Sequence, residues 1–261
     1  MKTKIEIKSI FGEVLFTFER EDNTLKDTIE EAVKQYADLR YANLRYADLC
    51  NADLCNADLC NADLRYAKLL NAKLCNADLC NADLRYAKLL NAKLCNADLC
   101  NADLCYAKLC NADLCNAKLL NAKLCYADLC NADLCYAKLC NADLCNAKLR
   151  YANLRYADLC NADLCYAKLC NADLCYADLC NAKLGDWGKL NECSDILSVS
   201  PIGSRHGCTT IFHTDKGIFV RCGCFRGTLD EFASKVKETH GDNKHARNYL
   251  ALIEFVKVKY Q

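Results

Sequence analysis

The chain has 261 residues, with 34 Lys plus Arg against 34 Asp plus Glu, so no bulk charge draws it to nucleic acid or to an anionic membrane. It carries 24 Cys but only 9 Gly and 1 Pro, too few breakers to punctuate an ordinary globular fold of this length. No run of ~18 apolar residues suggests a membrane-spanning helix, and the N-terminus lacks an apolar stretch of signal-peptide length. The expected location is therefore the cytoplasm, where cysteines stay reduced.

Residues 4–19, KIEIKSIFGEVLFTFE, alternate apolar and polar side chains around Phe11-Gly12 and read as a β-hairpin. Thr24 is placed to cap a helix that runs to about Lys34, with Leu25, Ile29 and Val33 on one apolar stripe. That helix leads directly into a repeat, so residues 1–35 read as a lid on the core that follows.

From Tyr36 to Gly185 the pattern [YN]-A-[DNK]-L-[CRLG] recurs thirty times without insertion or deletion, with Ala always second and Leu always fourth. A period of five fits neither a helix nor a long alternating strand. It fits a chain that turns a corner every five residues. Ala and Leu, two apart, point the same way on a short extended segment and face the axis, while the other three positions face out. Residues 56–75 and 76–95 are identical, and six pairs of array tyrosines lie 20 residues apart against two pairs 15 apart. Four units per coil is therefore expected, giving a square cross-section and about seven and a half coils. Twenty of the cysteines occupy the fifth position, which marks them as part of the repeat and not as a disulfide framework.

With these residues the array resembles the pentapeptide-repeat family, whose consensus is A-[DN]-L-x-x; Lys stands in place of Asp or Asn at 11 of the 30 third positions. The resemblance implies a mainly β chain, a right-handed quadrilateral β-helix with Leu and the small residue inward. Open solenoid ends expose apolar core and unpaired strand edges, so both need covers. The expected architecture is this helix over 36–185, the hairpin-and-helix cap over 1–35 and a small α+β domain over 186–261.

In that last segment Thr210–His213 and Ile218–Arg221 read as strands joined through Thr214-Asp215-Lys216-Gly217. Thr228-Leu229-Asp230-Glu231 is a capping box opening a helix that Gly241 ends, and Ala246, Tyr249, Leu250 and Ile253 stripe a final helix. Its GCFRGTLDEF and THGDNKH segments resemble the tail that accompanies such repeats in some bacterial and phage proteins, a likeness that implies no activity.

Residues 20 apart should stack in columns about 4.8 Å apart. Tyr46, Tyr66, Tyr86, Tyr106 and Tyr126 form one column, read as stacked rings or as an aromatic row for a partner. Asn61, Asn81, Asn101, Asn121, Asn141, Asn161 and Asn181 form another, read as an amide ladder. Cys55, Cys75, Cys95, Cys115 and Cys135 form a third. Stacked thiols suit soft metals, but evenly spaced rows build no tetrahedral site, so Cys reads as a small tolerated residue. Cys222-x-Cys224 followed by His240-x4-His245 lies near zinc-finger spacing but outside it at the first pair, and the preferred reading is that Cys222 sits in a strand and both histidines flank the Gly241 turn. No phosphate loop, nucleophile elbow or carboxylate cluster stands out, so no catalytic, metal or cofactor-binding residue is assigned and no cofactor is expected. In the coils from about 56 to 110 the columns Asp58/Asp78/Asp98 and Asp63/Asp83/Asp103 are acidic, and Lys68/Lys88/Lys108 and Lys73/Lys93 basic.

The function expected from this pattern is non-catalytic: a rigid rod presenting regular faces to a protein partner, without direct contact to nucleic acid or membrane, and open to side-by-side or end-to-end self-association. Two alternatives stand beside it. One, implied by the family resemblance, is inhibition or protection of a topoisomerase such as gyrase by mimicry of duplex DNA. The other is a zinc or small hydrolase site among Cys222, Cys224, His240 and His245.

Overall fold

A computed structural model describes residues 2–190, 195–203 and 207–260; the parts of the tail at 191–194 and 204–206 lie outside the described residues. Strands β1 (Lys2–Lys8) and β2 (Val14–Glu21) form the expected antiparallel hairpin. Helix α1 spans Leu25–Lys34, and its cap is reciprocal: Thr24 Oγ1 accepts the Asp27 N–H while Asp27 accepts the Thr24 N–H.

The array is a β-helix with four units per coil. Third-position residues bridge in parallel to the residue 20 later, from Asn43–Asp63 through to Asp163–Lys183. Three hydrogen bonds per unit stitch the coils: the Asn96 N–H donates to Cys115 O at 2.9 Å, the Asp98 N–H to Ala77 O at 2.9 Å and the Leu99 N–H to Lys118 O at 2.7 Å, and so on along the rod. A fourth closes each corner, as when the Ala102 N–H donates to Leu99 O at 3.1 Å. All thirty array leucines are buried, Leu174 being the most exposed at 8 %.

The corner itself lies on the first residue of each unit. All thirty first positions, from Tyr36 to Asn181, have φ between 54° and 65°, the left-handed region. Eighteen are Asn, which adopts that conformation readily through its short polar side chain. Twelve are Tyr, for which it costs about 1–2 kcal/mol each.

At the first coil, Ile7, Ile29 and Ala32 join the buried cluster of array leucines, with Leu25 and Val33 packed against it. The backbone is engaged too: Ile10 N–H donates to Tyr41 O and Asn43 N–H to Lys8 O, both at 2.8 Å. At the other end β3 (Ala182–Lys183) pairs with β4 (Lys189–Leu190) across a 3-10 turn at Gly185–Trp187. A four-stranded antiparallel meander follows, in the order β5 (Ile196–Ile202), β6 (Gly207–Thr214), β7 (Gly217–Cys222) and β8 (Phe225–Thr228). Helices α2 (Leu229–His240) and α3 (Lys244–Lys259) complete the unit. Adjacent residues of β6 face opposite ways: Ile211 enters a second core with Val220, Phe232, Tyr249 and Ile253, whereas Phe212 enters the array's cluster with Leu190. The sheet thus lies between the helices and the last coil. Arg221 of β7 donates from Nη1 to the carbonyls of Tyr166 and Ala167, which lie in that coil. Among the described residues no helix is long and apolar enough to cross a membrane.

Candidate functional site

The outward positions are the only surface the array offers, and they fall into the expected columns. Rings of Tyr46, Tyr66, Tyr86, Tyr106 and Tyr126 stack with centroids 4.9–5.0 Å apart and interplanar angles of 14°, 3°, 7° and 0°. A second ladder, Tyr136–Tyr156–Tyr176, stacks at 4.8 and 5.0 Å. Each ring remains exposed at its edge. Tyr151 stacks on no ring, because Asn131 and Asn171 flank its column, and only Arg150 lies over it, at 5.8 Å. Replacing Tyr151 by Asn should therefore relieve left-handed strain and stabilise the protein by about 1 kcal/mol. Tyr86→Asn forfeits two stacking contacts worth about 0.5–1.5 kcal/mol each and should be neutral or destabilising. Denaturant midpoints compare the two; an equal gain in both would show that the ladder contributes nothing.

The amide ladder is only partly made in the column where it was expected. Asn121 Nδ2 donates to Asn101 Oδ1 at 3.1 Å, but Asn61, Asn161 and Asn181 turn to the sulfur of the preceding cysteine. The opposite column carries a longer run, Asn91 to Asn71 to Asn51, at 3.2 and 3.1 Å. A preceding cysteine offers a competing acceptor, although Asn76, which follows Cys75, keeps its vertical bond to Asn56 at 3.3 Å.

Third-position side chains place charge on flat faces. The acidic and basic columns over residues 56–110 stack as the spacing requires. At four of the places where a column changes sign, lysine reaches aspartate one coil away: Lys68–Asp48 at 3.0 Å, Lys73–Asp53 at 3.1 Å, Lys118–Asp98 at 2.9 Å and Lys148–Asp128 at 3.1 Å. Hydrogen bonds from Lys68, then Cys50, hold Asp48 down at about 2. Burial opposes ionisation of Asp128, yet hydrogen bonds from Cys130, Cys110 and Lys148 bring it to about 2. A carboxylate depressed in the folded state stabilises that state above its unfolded pKa of about 3.9 and ceases to as pH falls through the folded value. The thermal midpoint should therefore be flat from about pH 7 to 5 and fall between about pH 4 and 2; a midpoint that rises on acidification would contradict these pairs.

The cysteines sit half-buried between the acidic groups. Burial first, and aspartate second, push Cys55 and Cys105 up to about 11. Such thiols stay protonated at neutral pH, and the thiolate is the nucleophile and the metal ligand. The only trio of metal-ligating atoms within 4.8 Å of one another, among the described residues, is Cys80, Asp98 and Cys100. There the Cys80 thiol donates to Asp98 at 3.0 Å and Lys118 occupies the same carboxylate at 2.9 Å. A metal would have to displace two protons and an ammonium. The far-ultraviolet circular dichroism of the protein should accordingly be unchanged by reductant and chelator together; loss of the β signal would show that the rod depends on one of them.

Cys222, Cys224, His240 and His245 are not brought together as a metal set. Cys222 Sγ accepts from Thr209 Oγ1 at 3.1 Å and lies 3.5 Å from Tyr249 Oη, whereas Cys224 is exposed beyond the strand end. The His240 and His245 rings are 6.1 Å apart across the Gly241 turn. Sequence reasoning missed a pairing here: His213 Nδ1 lies 3.1 Å from Asp195 Oδ1, with its ring stacked on Tyr260 at 4.6 Å. The partners are 18 and 47 residues away with no motif to link them.

The model of the family described as pentapeptide repeats matches residues 37–69, 71–99, 96–129 and 127–164. Among solved structures the chain is similar to HetL, a pentapeptide repeat protein involved in heterocyst differentiation regulation from the cyanobacterium Nostoc sp. strain PCC 7120. The identity is 32 %, over 59 % of this chain and 86 % of that one, with a TM-score of 0.39. It is also similar to Rfr23 from the cyanobacterium Cyanothece 51142, with 39 % identity over 33 % of this chain and 58 % of that one and a TM-score of 0.32. A likeness at 17 % identity extends to QnrB1, a plasmid-mediated fluoroquinolone resistance protein, over 57 % of this chain and 80 % of that one, TM-score 0.38. No curated protein matches the chain. Thirty uninterrupted units, the four-unit coil they build and the matching family model lead to one conclusion: the chain belongs to the pentapeptide-repeat family.

Proposed function

We propose that this chain is a non-catalytic scaffold, a right-handed rod that binds a protein partner through its charge-segregated faces. The observation that carries the reading is the arrangement of the third positions between residues 56 and 110, where two adjacent faces stack Asp and the other two stack Lys. Repetition of one side chain at fixed spacing favours an extended contact over a unique reacting centre, and exposed tyrosine ladders add apolar area to it. Residues 1–35 act as the cap of the first coil, and residues 186–261 as a separable unit with its own core that covers the last. Side-by-side packing of two rods, acidic face to basic face, is a further use of the same surface.

DNA mimicry fits less well. Duplex DNA is negative all round, with one charge per ~1.7 Å of axis. Here the array's 17 Asp are balanced by 11 Lys and 6 Arg, and each acidic column offers one carboxylate per ~4.8 Å. Arg65 and Arg85 bond to Asp63 and Asp83 and dilute one of those columns further.

The test is affinity capture on immobilised full-length protein beside a variant carrying Lys68→Glu, Lys88→Glu and Lys108→Glu. A partner set retained by the wild type, lost from the variant and released by salt above ~0.15 M would support the reading. Retention of the same set by both would end it.

A further inference from the structure

A half-open cavity of about 610 Å³ lies between the last coils and the C-terminal sheet. That size falls in the range of small-molecule sites, ~300–1,000 Å³. Its charged lining comes from three separate elements. Arg150 and Lys168 project from the array, on the face where Lys148 bridges Lys168. Arg221 comes from β7 and Lys235 from α2. Among the described residues no carboxylate lines the cavity. Lys235 is already engaged by Glu238 at 2.9 Å, but among the described residues no carboxylate pairs with Arg150, Lys168 or Arg221.

Arg221 is the informative one. It is half-buried, and its hydrogen bonds go to the neutral carbonyls of Tyr166 and Ala167, not to an acid. Burial first, and the neighbouring Arg226 second, push its pKa down. A guanidinium withdrawn from water without a counter-ion is unfavourable, and an anion beside it offsets both the desolvation and the repulsion. Guanidinium groups also present a planar fork of donors suited to oxyanions. The remaining lining mixes the rings of Phe212, Phe225, Phe232 and Tyr249 with four cysteines, two threonines and His240. Cationic and aromatic walls in one cavity select a ligand with both features.

We propose that this cavity binds a small organic phosphate, its phosphoryl group against Arg150, Lys168 and Arg221 and its flat apolar body against the phenylalanines. A dianion matches three unpaired cations better than a single negative charge does. The proposal is independent of the scaffold reading, since the cavity lies at the array's end and uses none of the columns between residues 56 and 110.

Isothermal titration of the full chain tests it with three probes: 1-naphthyl phosphate, 1-naphthol, which keeps the body without the charge, and inorganic phosphate, which keeps the charge without the body. One saturable site for 1-naphthyl phosphate is expected, with each half-probe at least about tenfold weaker. Arg150 and Lys168 are exposed, so the double variant Arg150→Gln, Lys168→Gln should keep the circular dichroism of the parent and lose about tenfold in affinity or more. Absence of saturable binding of 1-naphthyl phosphate, or equal affinity for 1-naphthol, would overturn the proposal with no variant needed. So would a folded double variant that binds within about twofold of the parent.

Discussion

Replacing Leu99 with aspartate should unfold the array at 25 °C. Leu99 is fully buried in mid-rod, and its N–H is committed to Lys118 O at 2.7 Å. The rod interior holds leucine and alanine only, so the new carboxylate would find no partner and would either ionise at a cost of several kcal/mol or take up a proton and remain poorly bonded. Leu99→Ala removes the same contacts without the polar group and should cost about 2–5 kcal/mol. Cys100→Ser, one residue on and outward, should stay within about 0.5 kcal/mol. Because each coil contacts only its neighbours, damage at one coil separates the stabilities of the two halves. Far-ultraviolet circular dichroism with urea titration checks the series. A Leu99→Asp protein with a wild-type spectrum and midpoint would mean that the fourth position does not face a dry core.

Deleting residues 1–35 should convert the protein into end-to-end aggregates. Ile7, Ile29 and Ala32 are buried against the first leucines, and Lys8 O and Ile10 N occupy backbone groups of Asn43 and Tyr41. Glu30 adds a side-chain bond to the Asp53 N–H at 2.8 Å. Without this segment the first coil would present both an apolar end and a row of unpaired strand groups, the template for adding another chain. Light scattering on size-exclusion fractions should show a larger mass for the 36–261 fragment than for the full chain at equal concentration. An unchanged mass would mean that the first coil tolerates exposure.

Much of this was legible because one rule repeats thirty times. Ala and Leu two residues apart specify which side faces in, and the duplicated 56–75 segment specifies the four-unit coil seen in the bridges. The left-handed corner was not read, although Asn at eighteen of thirty first positions was its signal; the twelve tyrosines obscured it, being poor residues for that conformation. In the tail, the hairpin over β6 and β7 follows from local alternation, α2 from its capping box and α3 from its apolar stripe. Strands β5 and β8 were missed, because Pro201 and Gly227 lie inside them and argue against a strand locally. Those strands form from pairing with β6 and β7, which is tertiary information. The cavity was invisible for the same reason: Arg150 and Arg221 lie 71 residues apart in sequence and meet only when the sheet closes on the last coil.

The choice between a protein scaffold and a DNA mimic rests on how charge is distributed around the rod, and gyrase supercoiling measures that most directly. Full-length protein at sub-micromolar concentration should neither inhibit supercoiling nor protect the enzyme from a quinolone, because a DNA-binding saddle that grips the rod between residues 56 and 110 would meet Lys68, Lys88 and Lys108 on one face and Lys73 and Lys93 on the next. Inhibition or protection at that concentration would contradict the account.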